Sequence, residues 1–503
     1  MRTQGALAAG ALLVGAACAA STPPGVVRWD ISRRDRRQEL ARLGKRADTY
    51  EEVITNEEMR GGYFATCQIG TPGQDLTLQL DTGSSDIWVP ASTAQVCSRR
   101  GDRGCSFGSF NPDESETFEV VGEGNFDISY VDTSYAKGDY FTDVFEIGGA
   151  VIQNMTMGLG SDTDINHGLV GVGYPQNEAI VGTTQSLRSM YPNLPIQMVN
   201  EGLINTAAYS LWLNDLDASS GNILFGGIDT KKYVGELTRI DILPTIEDIR
   251  TSFKVYLTSL QAVSASGKDT LTSRKFPIPV VLDSGTTLSY LPTDIAQQTW
   301  REVGAIWSDQ LGNAVIPCKM RTSKGYFSFG FAGPSGPRIK VGMDELVLDL
   351  TSGPAPLFTS GKYSGEEACR FGIQNFTSAP YLLGDTFLRS AYVVYDLVNN
   401  QIGIAATDFN STESNIVPFP SLSAHIPSAT PAPDQAQATE KPSFTTPAYA
   451  AKSGFLDLNA PAPESGDESA ASGLGPVFGA GQMAVVGLTM VLTMLGSGLF
   501  VLL

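Results

Sequence analysis

Histidine is nearly absent: the 503 residues contain His167 and His425 and no other. That excludes a zinc site built from histidines and an HExxH metalloprotease. Basic residues are scarce as well, with 34 Lys and Arg against 53 Asp and Glu and a net charge of -19. A nucleic-acid partner is excluded, because phosphates demand a cationic face. The acidic excess suits a protein soluble outside the cell. Long helical patterns are few. The clearest, TDIAQQTWREVGAIW, starts near Thr293 and Asp294 with a capping residue ahead of an apolar periodicity. Gly104-Cys105-Ser106-Phe107-Gly108 fits the G-x-S-x-G hydrolase signature, but no apolar strand precedes it and we read it as chance. No metal and no cofactor is expected.

What is abundant is short alternating runs. LTLQL, FDISY, VFEIGG and FKVYLTSL are separated by Gly, Pro, Asn and Asp, which predicts an all-β chain. With 42% hydrophobic residues the chain is long enough for two lobes, each with its own core. An internal repeat supports two lobes. LTLQL leads into Asp81-Thr82-Gly83-Ser84, with Leu169-Val170-Gly171 later; PIPVVL leads into Asp283-Ser284-Gly285-Thr286, with Leu382-Leu383-Gly384 later. The expected boundary lies near Val234 to Glu236, giving lobes at 47–235 and 236–409.

The two termini read as processing segments. Residues 1–20, with Arg2, an apolar stretch and Ala17-Cys18-Ala19, resemble a secretory signal. Residues 21–46 are rich in arginine and close on Lys45-Arg46, the pattern of a propeptide whose cationic side chains could occupy an acidic cleft until removed. From 410 to 471 a tract of Ser, Thr, Pro and Ala reads as a stalk. Small residues then precede a spacer and the uncharged run Met483–Leu503, the order of a glycosylphosphatidylinositol signal with attachment at Ala471 or Ser469 and removal of 472–503. That places the protein at the cell surface, on the plasma membrane or in a cell wall. Sequons at Asn154, Asn375 and Asn410 are available to glycosylation in the secretory pathway. Removing the signal leaves Cys67, Cys97, Cys105, Cys318 and Cys369, so one thiol is left over.

Two aspartates at the ends of repeated strands suggest a chemistry. Hydrolysing an amide without a metal needs one group to take a proton from water and another to give one to the carbonyl oxygen, and two carboxyls sharing a proton do both. Asp81 and Asp283 are the pair. Gly83 and Gly285 let the backbone come close, Thr82 and Ser284 offer hydroxyls to tie the loops together, and Ser84 and Thr286 can bond the outer carboxylate oxygens.

From about Gly62 to Ala406 the sequence resembles the pepsin family of aspartic proteases. YFATCQIGTPGQDLTLQLDTGSSDIWVP, VVLDSGTTLSYLP and YLLGDTFLRSAYVVYDLVNNQIGIA carry the likeness, in the family for which a shared proton is the standard example. The resemblance implies a bilobal β fold with a few short helices, a monomer, and polypeptide substrates bound under a hairpin flap. It implies Tyr130 as the flap tyrosine, Trp88 packing with it, and disulfides Cys97–Cys105 and Cys318–Cys369, with Cys67 a buried thiol. Three departures stand out: Val131-Asp132-Thr133 in place of flap glycines, Asp-Ser-Gly in the second loop, and His167 near a position often acidic. An acidic flap resembles the fungal yapsin-like subgroup, which implies a preference for basic residues at the cut site with Asp132 as its determinant; a solvated hairpin carboxylate is the plainer reading. The competing function is a non-catalytic wall-associated binding or adhesion protein, free to lose Asp81, Asp283 or Tyr130.

Overall fold

The computed structural model describes residues 22–34, 62–99, 104–218, 221–350, 354–441, 444 and 446–463. The signal segment, Lys45, Arg46, Ser469 and Ala471 lie outside these residues.

The chain is all-β with a few short helices. The alternating runs become strands: β1 (Val27–Arg34), β2 (Gly62–Ile69), β3 (Gln74–Asp81), β4 (Ile87–Pro90), β5 (Glu119–Ser129), β6 (Tyr135–Ile147), β7 (Ala150–Thr163) and β8 (Leu169–Gly171) build the first half. They belong to a 14-stranded sheet that continues into strands from the end of the chain, whereas the second half holds an eight-stranded and a four-stranded sheet. Alternation sets the burial: Leu76, Leu78 and Leu80 of β3 are buried in the core while the residues between them are half-buried or exposed.

The internal repeat is a repeated topology. Strand β3 pairs in parallel with β8, setting Asp81 opposite Gly171. Strand Ile278–Leu282 pairs in parallel with Tyr381–Leu383, setting Leu282 opposite Leu383. Each apolar-apolar-Gly segment thus lies beside the strand that delivers an aspartate. The glycines are needed because the loop after each aspartate passes over them: a Cβ on Gly171 would stand 2.6 Å from Ser85 N, and one on Gly384 would run into the Thr286 carbonyl.

Four expectations need correction. The helix spans Thr293–Val303, its N-terminus has no side-chain cap, and left-handed Gly304 ends it, so Ile306–Ser308 is a strand. The residues expected at the lobe boundary, Val234 to Glu236, are not a linker but part of strand Tyr233–Asp241, at a pairing irregularity, and that strand pairs with Gln401–Thr407 in the large sheet. Residues 27–34 of the basic segment form β1, which pairs with Gly221–Phe225 and with β2, so this part lies in the sheet and not in a cleft; Trp29 and Ile31 are buried there.

The fourth correction concerns the stalk, several described parts of which are docked. Strand Ile416–Pro418 pairs with Gly227–Asp229 and Ala429–Pro431 pairs in parallel with Tyr233–Asp241. Phe419, Ile426 and Phe455 are buried. Helix Lys452–Leu456 is held by Ser264 Oγ donating to Ala451 O at 2.6 Å, Ala451 N donating to Asp269 Oδ2 at 2.8 Å and Ser323 Oγ donating to Phe455 O at 2.9 Å. A few apolar anchors with satisfied backbone groups suffice to hold an apolar-poor segment.

Candidate active site

Asp81 and Asp283 come from different halves of the chain and meet, both buried. Each loop folds back on its own aspartate. Gly83 N donates to Asp81 Oδ1 at 2.7 Å and Ser84 Oγ to Oδ2 at 2.5 Å; Gly285 N donates to Asp283 Oδ1 at 2.9 Å and Thr286 Oγ1 to Oδ2 at 2.5 Å. The loops are also cross-tied. Thr82 Oγ1 donates to Leu282 O at 3.0 Å and accepts from Ser284 N at 3.0 Å, while Ser284 Oγ donates to Leu80 O at 3.1 Å and accepts from Thr82 N at 3.2 Å. Four reciprocal bonds between the two tips fix the carboxyls relative to each other.

The environment raises both acids. Burial pushes Asp81 up, the charge of Asp283 adds to it, and the bonds from Ser84 and Gly83 oppose. Burial likewise raises Asp283 against the bonds from Thr286 and Gly285. The two carboxyls lie close enough for each to act on the other's ionisation. Two like charges this close cannot both ionise cheaply, so the pair retains a proton.

Strands β5 and β6 form a hairpin whose turn follows Tyr130, with Tyr130 N donating to Ser134 O at 2.8 Å. Trp88 Nε1 donates to Tyr130 Oη at 2.8 Å, linking the turn end of the hairpin to β4. Asp132 is exposed at the tip, and its Oδ1 accepts from Ser134 N at 2.9 Å and Ser134 Oγ at 2.6 Å. Thr133 is left-handed there, with φ 75°.

Residues 62–407 match the family model described as eukaryotic aspartyl protease. The chain belongs to the eukaryotic aspartyl proteases. Its relatives include a probable aspartic-type endopeptidase opsB of Aspergillus fumigatus, 42% identical over 81% of this chain and 81% of the relative. An acid protease of Saccharomycopsis fibuligera is 37% identical over 71% of this chain and 84% of its own. Secreted aspartic protease 6 of Candida albicans is 36% identical over 73% and 79%. The chain is accordingly an aspartic-type endopeptidase, and the reading as a non-catalytic binding protein falls.

This aspartyl protease forms both expected disulfides, Cys97–Cys105 and Cys318–Cys369. Asp349 lies beside the second, but sulfurs bonded to each other offer no thiolate to a metal. Cys67 is a buried free thiol whose pKa burial pushes up. Asn154 and Asn410 are exposed and Asn375 is half-buried. His167 lies beside Gln79, its Nε2 3.0 Å from Gln79 Oε1, while Gln79 Nε2 donates to Gly285 O at 3.3 Å. A cavity of about 500 Å³ lined by Tyr174, Gln176, Ile249, Arg250 and Asn400 contains neither aspartate. It is separate from the dyad.

Sequence reading missed two buried clusters. Asp86 accepts from Tyr140 Oη, Tyr191 Oη and Ala179 N, each at 2.8 Å, and Glu178 lies buried beside it, pushed up to about 10 by burial first and the Asp86 charge second. Behind Asp283, Arg389 pairs with Glu345 in the core next to Asp385 and Tyr63. The signal available for the first was Asp86 itself, a charge directly ahead of the apolar run Ile87-Trp88-Val89.

Proposed function

We propose that Asp81 and Asp283 share one proton and activate the water that cleaves a peptide bond. The observation that carries this reading is the closed set of bonds around the two buried carboxyls. The ionised carboxyl takes a proton from water as its oxygen bonds to the carbonyl carbon, and the protonated carboxyl gives its proton to the carbonyl oxygen. A tetrahedral diol forms. Its collapse breaks the C–N bond as the amine takes a proton from the pair and a diol hydroxyl returns one. Tyr130, held by Trp88, closes the hairpin over the substrate. The test is Asp81→Asn and Asp283→Asn, each abolishing cleavage of a peptide library between about pH 3 and 7 that a pepstatin-type inhibitor blocks in the wild type. Turnover in either variant overturns the mechanism.

In its finer form the proposal is a secreted, surface-anchored enzyme working as a monomer. Two disulfides suit an oxidising compartment, and one relative is named a secreted protease. Processing after Arg46 leaves a chain beginning at Ala47, which N-terminal sequencing tests. A glycosylphosphatidylinositol anchor at Ala471 or Ser469 rests on the terminal sequence; release by a phosphatidylinositol-specific phospholipase tests it, and retention with an intact apolar tail overturns it. A preference for basic residues at the cut site rests on Asp132, exposed at the flap tip. Unchanged subsite preference in Asp132→Asn overturns that part alone.

A further inference from the structure

Three exposed apolar side chains gather near the place where the described chain ends. Ile306 (37% exposed) and Trp307 (43%) lie on Ile306–Ser308, an edge strand of the four-stranded sheet, and Leu456 (41%) closes helix Lys452–Leu456. Leu456 comes up to the chain at Gly304, two residues before Ile306, where a Cβ would stand 2.5 Å from Tyr363 Oη, 3.3 Å from Leu456 Cδ2 and 3.4 Å from Lys362 Nζ. The Trp307 ring stacks on Trp300 with centroids 5.8 Å apart, and its Nε1 donates to Asp309 Oδ1 at 3.0 Å. The indole therefore faces solvent in a fixed pose.

Cationic side chains accompany these apolar ones. Arg301, Lys362 and Lys452 stand near them, with Asp309, Asp457 and the Glu302 and Asp269 carboxyls beside Lys452, so cations are available at this face of a protein of net charge -19. An amphipathic ring, aliphatic side chains and cations together suit the headgroup layer of a bilayer, where indole sits at the interface and ammonium meets phosphate. Tethering points the same way. Ser469 and Ala471 follow Pro463 by six and eight residues, a reach of at most about 28 Å when fully extended. Helix Lys452–Leu456 is fastened to the body, so an anchor there would hold this face close to lipid at high effective concentration.

We propose that Ile306, Trp307 and Leu456, with Arg301, Lys362 and Lys452, form a docking patch for the bilayer surface that seats the protease against lipid headgroups. The tether part rests on the anchor proposed above. The probe is a vesicle of phosphatidylcholine with phosphatidylserine, some lipids carrying a doxyl quencher. Protein freed of its anchor by phospholipase should sediment with these vesicles, and their doxyl groups should quench Trp307. Ile306→Ser with Trp307→Ser should weaken binding about tenfold, with hydrolysis of a soluble peptide unchanged as proof of folding. Equal binding by wild type and variant overturns the patch. So does self-association of the wild type that the variant loses, which would assign the face to a second copy of the chain. If phospholipase releases nothing, the anchor reading fails by itself, and quenching of Trp307 in vesicles reconstituted with the whole protein still decides the patch.

Discussion

Gly83 lies so close to Asp283 that a Cβ built on it would stand 2.6 Å from Oδ1 of that carboxylate. The reciprocal crowding holds between Gly285 and Asp81. Each acid is walled by the backbone of the opposite loop, leaving no room for a side chain. Gly83→Ala is expected to lower kcat by about 100-fold, the cost of misplacing a reacting group by about 1 Å, with a much smaller effect on Tm. Steady-state kinetics beside thermal unfolding check this, and a near-wild-type kcat would refute it.

The pH profile follows from the raised acids. Burial and the charge of Asp283 hold the proton on Asp81 to higher pH than an isolated carboxyl would keep it. Activity should fall as pH rises and the pair loses its proton, and fall again in strong acid as it gains a second. The maximum should lie below neutrality. Ser84→Ala removes a bond that favours ionised Asp81, so the alkaline limb of kcat/KM should move to higher pH. A limb moving to lower pH would contradict the assignment.

Glu178 should govern stability in the opposite range. It is pushed up to about 10 in the folded protein, against about 4.3 when unfolded. Between these values the unfolded chain has lost a proton that the native state keeps, so stability falls as pH rises. Glu178→Gln keeps the shape without the charge. The decline of Tm from mildly acidic to mildly alkaline pH should be shallower in this variant, and an unchanged slope would rule Glu178 out as its source.

The docked C-terminal segment should be part of the folded unit. Phe455 is buried, stacks on Phe327 at 5.5 Å and lies against Gly325. Phe455→Ala is expected to cost about 3–5 kcal/mol by urea unfolding. A free stalk would lose nothing.

The dyad was legible because the chain states it twice, with the same strand, turn and apolar-apolar-Gly partner in each half. The strands were legible from alternation. The segment after Asn410 was not, because composition averages over many residues while a few buried ones, Phe419, Ile426 and Phe455 the largest, do the anchoring. Strand β1 was hidden by its arginines: Trp29 and Ile31 alternate inward between charged neighbours. Glu178 could not be found because an acid ahead of a short helix ordinarily reads as exposed.

The hairpin over the dyad is divided along its length. Tyr130 is fastened to the body through Trp88, whereas Val131, Asp132 and Thr133 at the turn are exposed. If the tip meets substrate as proposed above, a library randomised at residues 131–133 would change which peptides are cut and leave the dyad and its bonds in place, making the tip the place to redirect this protease.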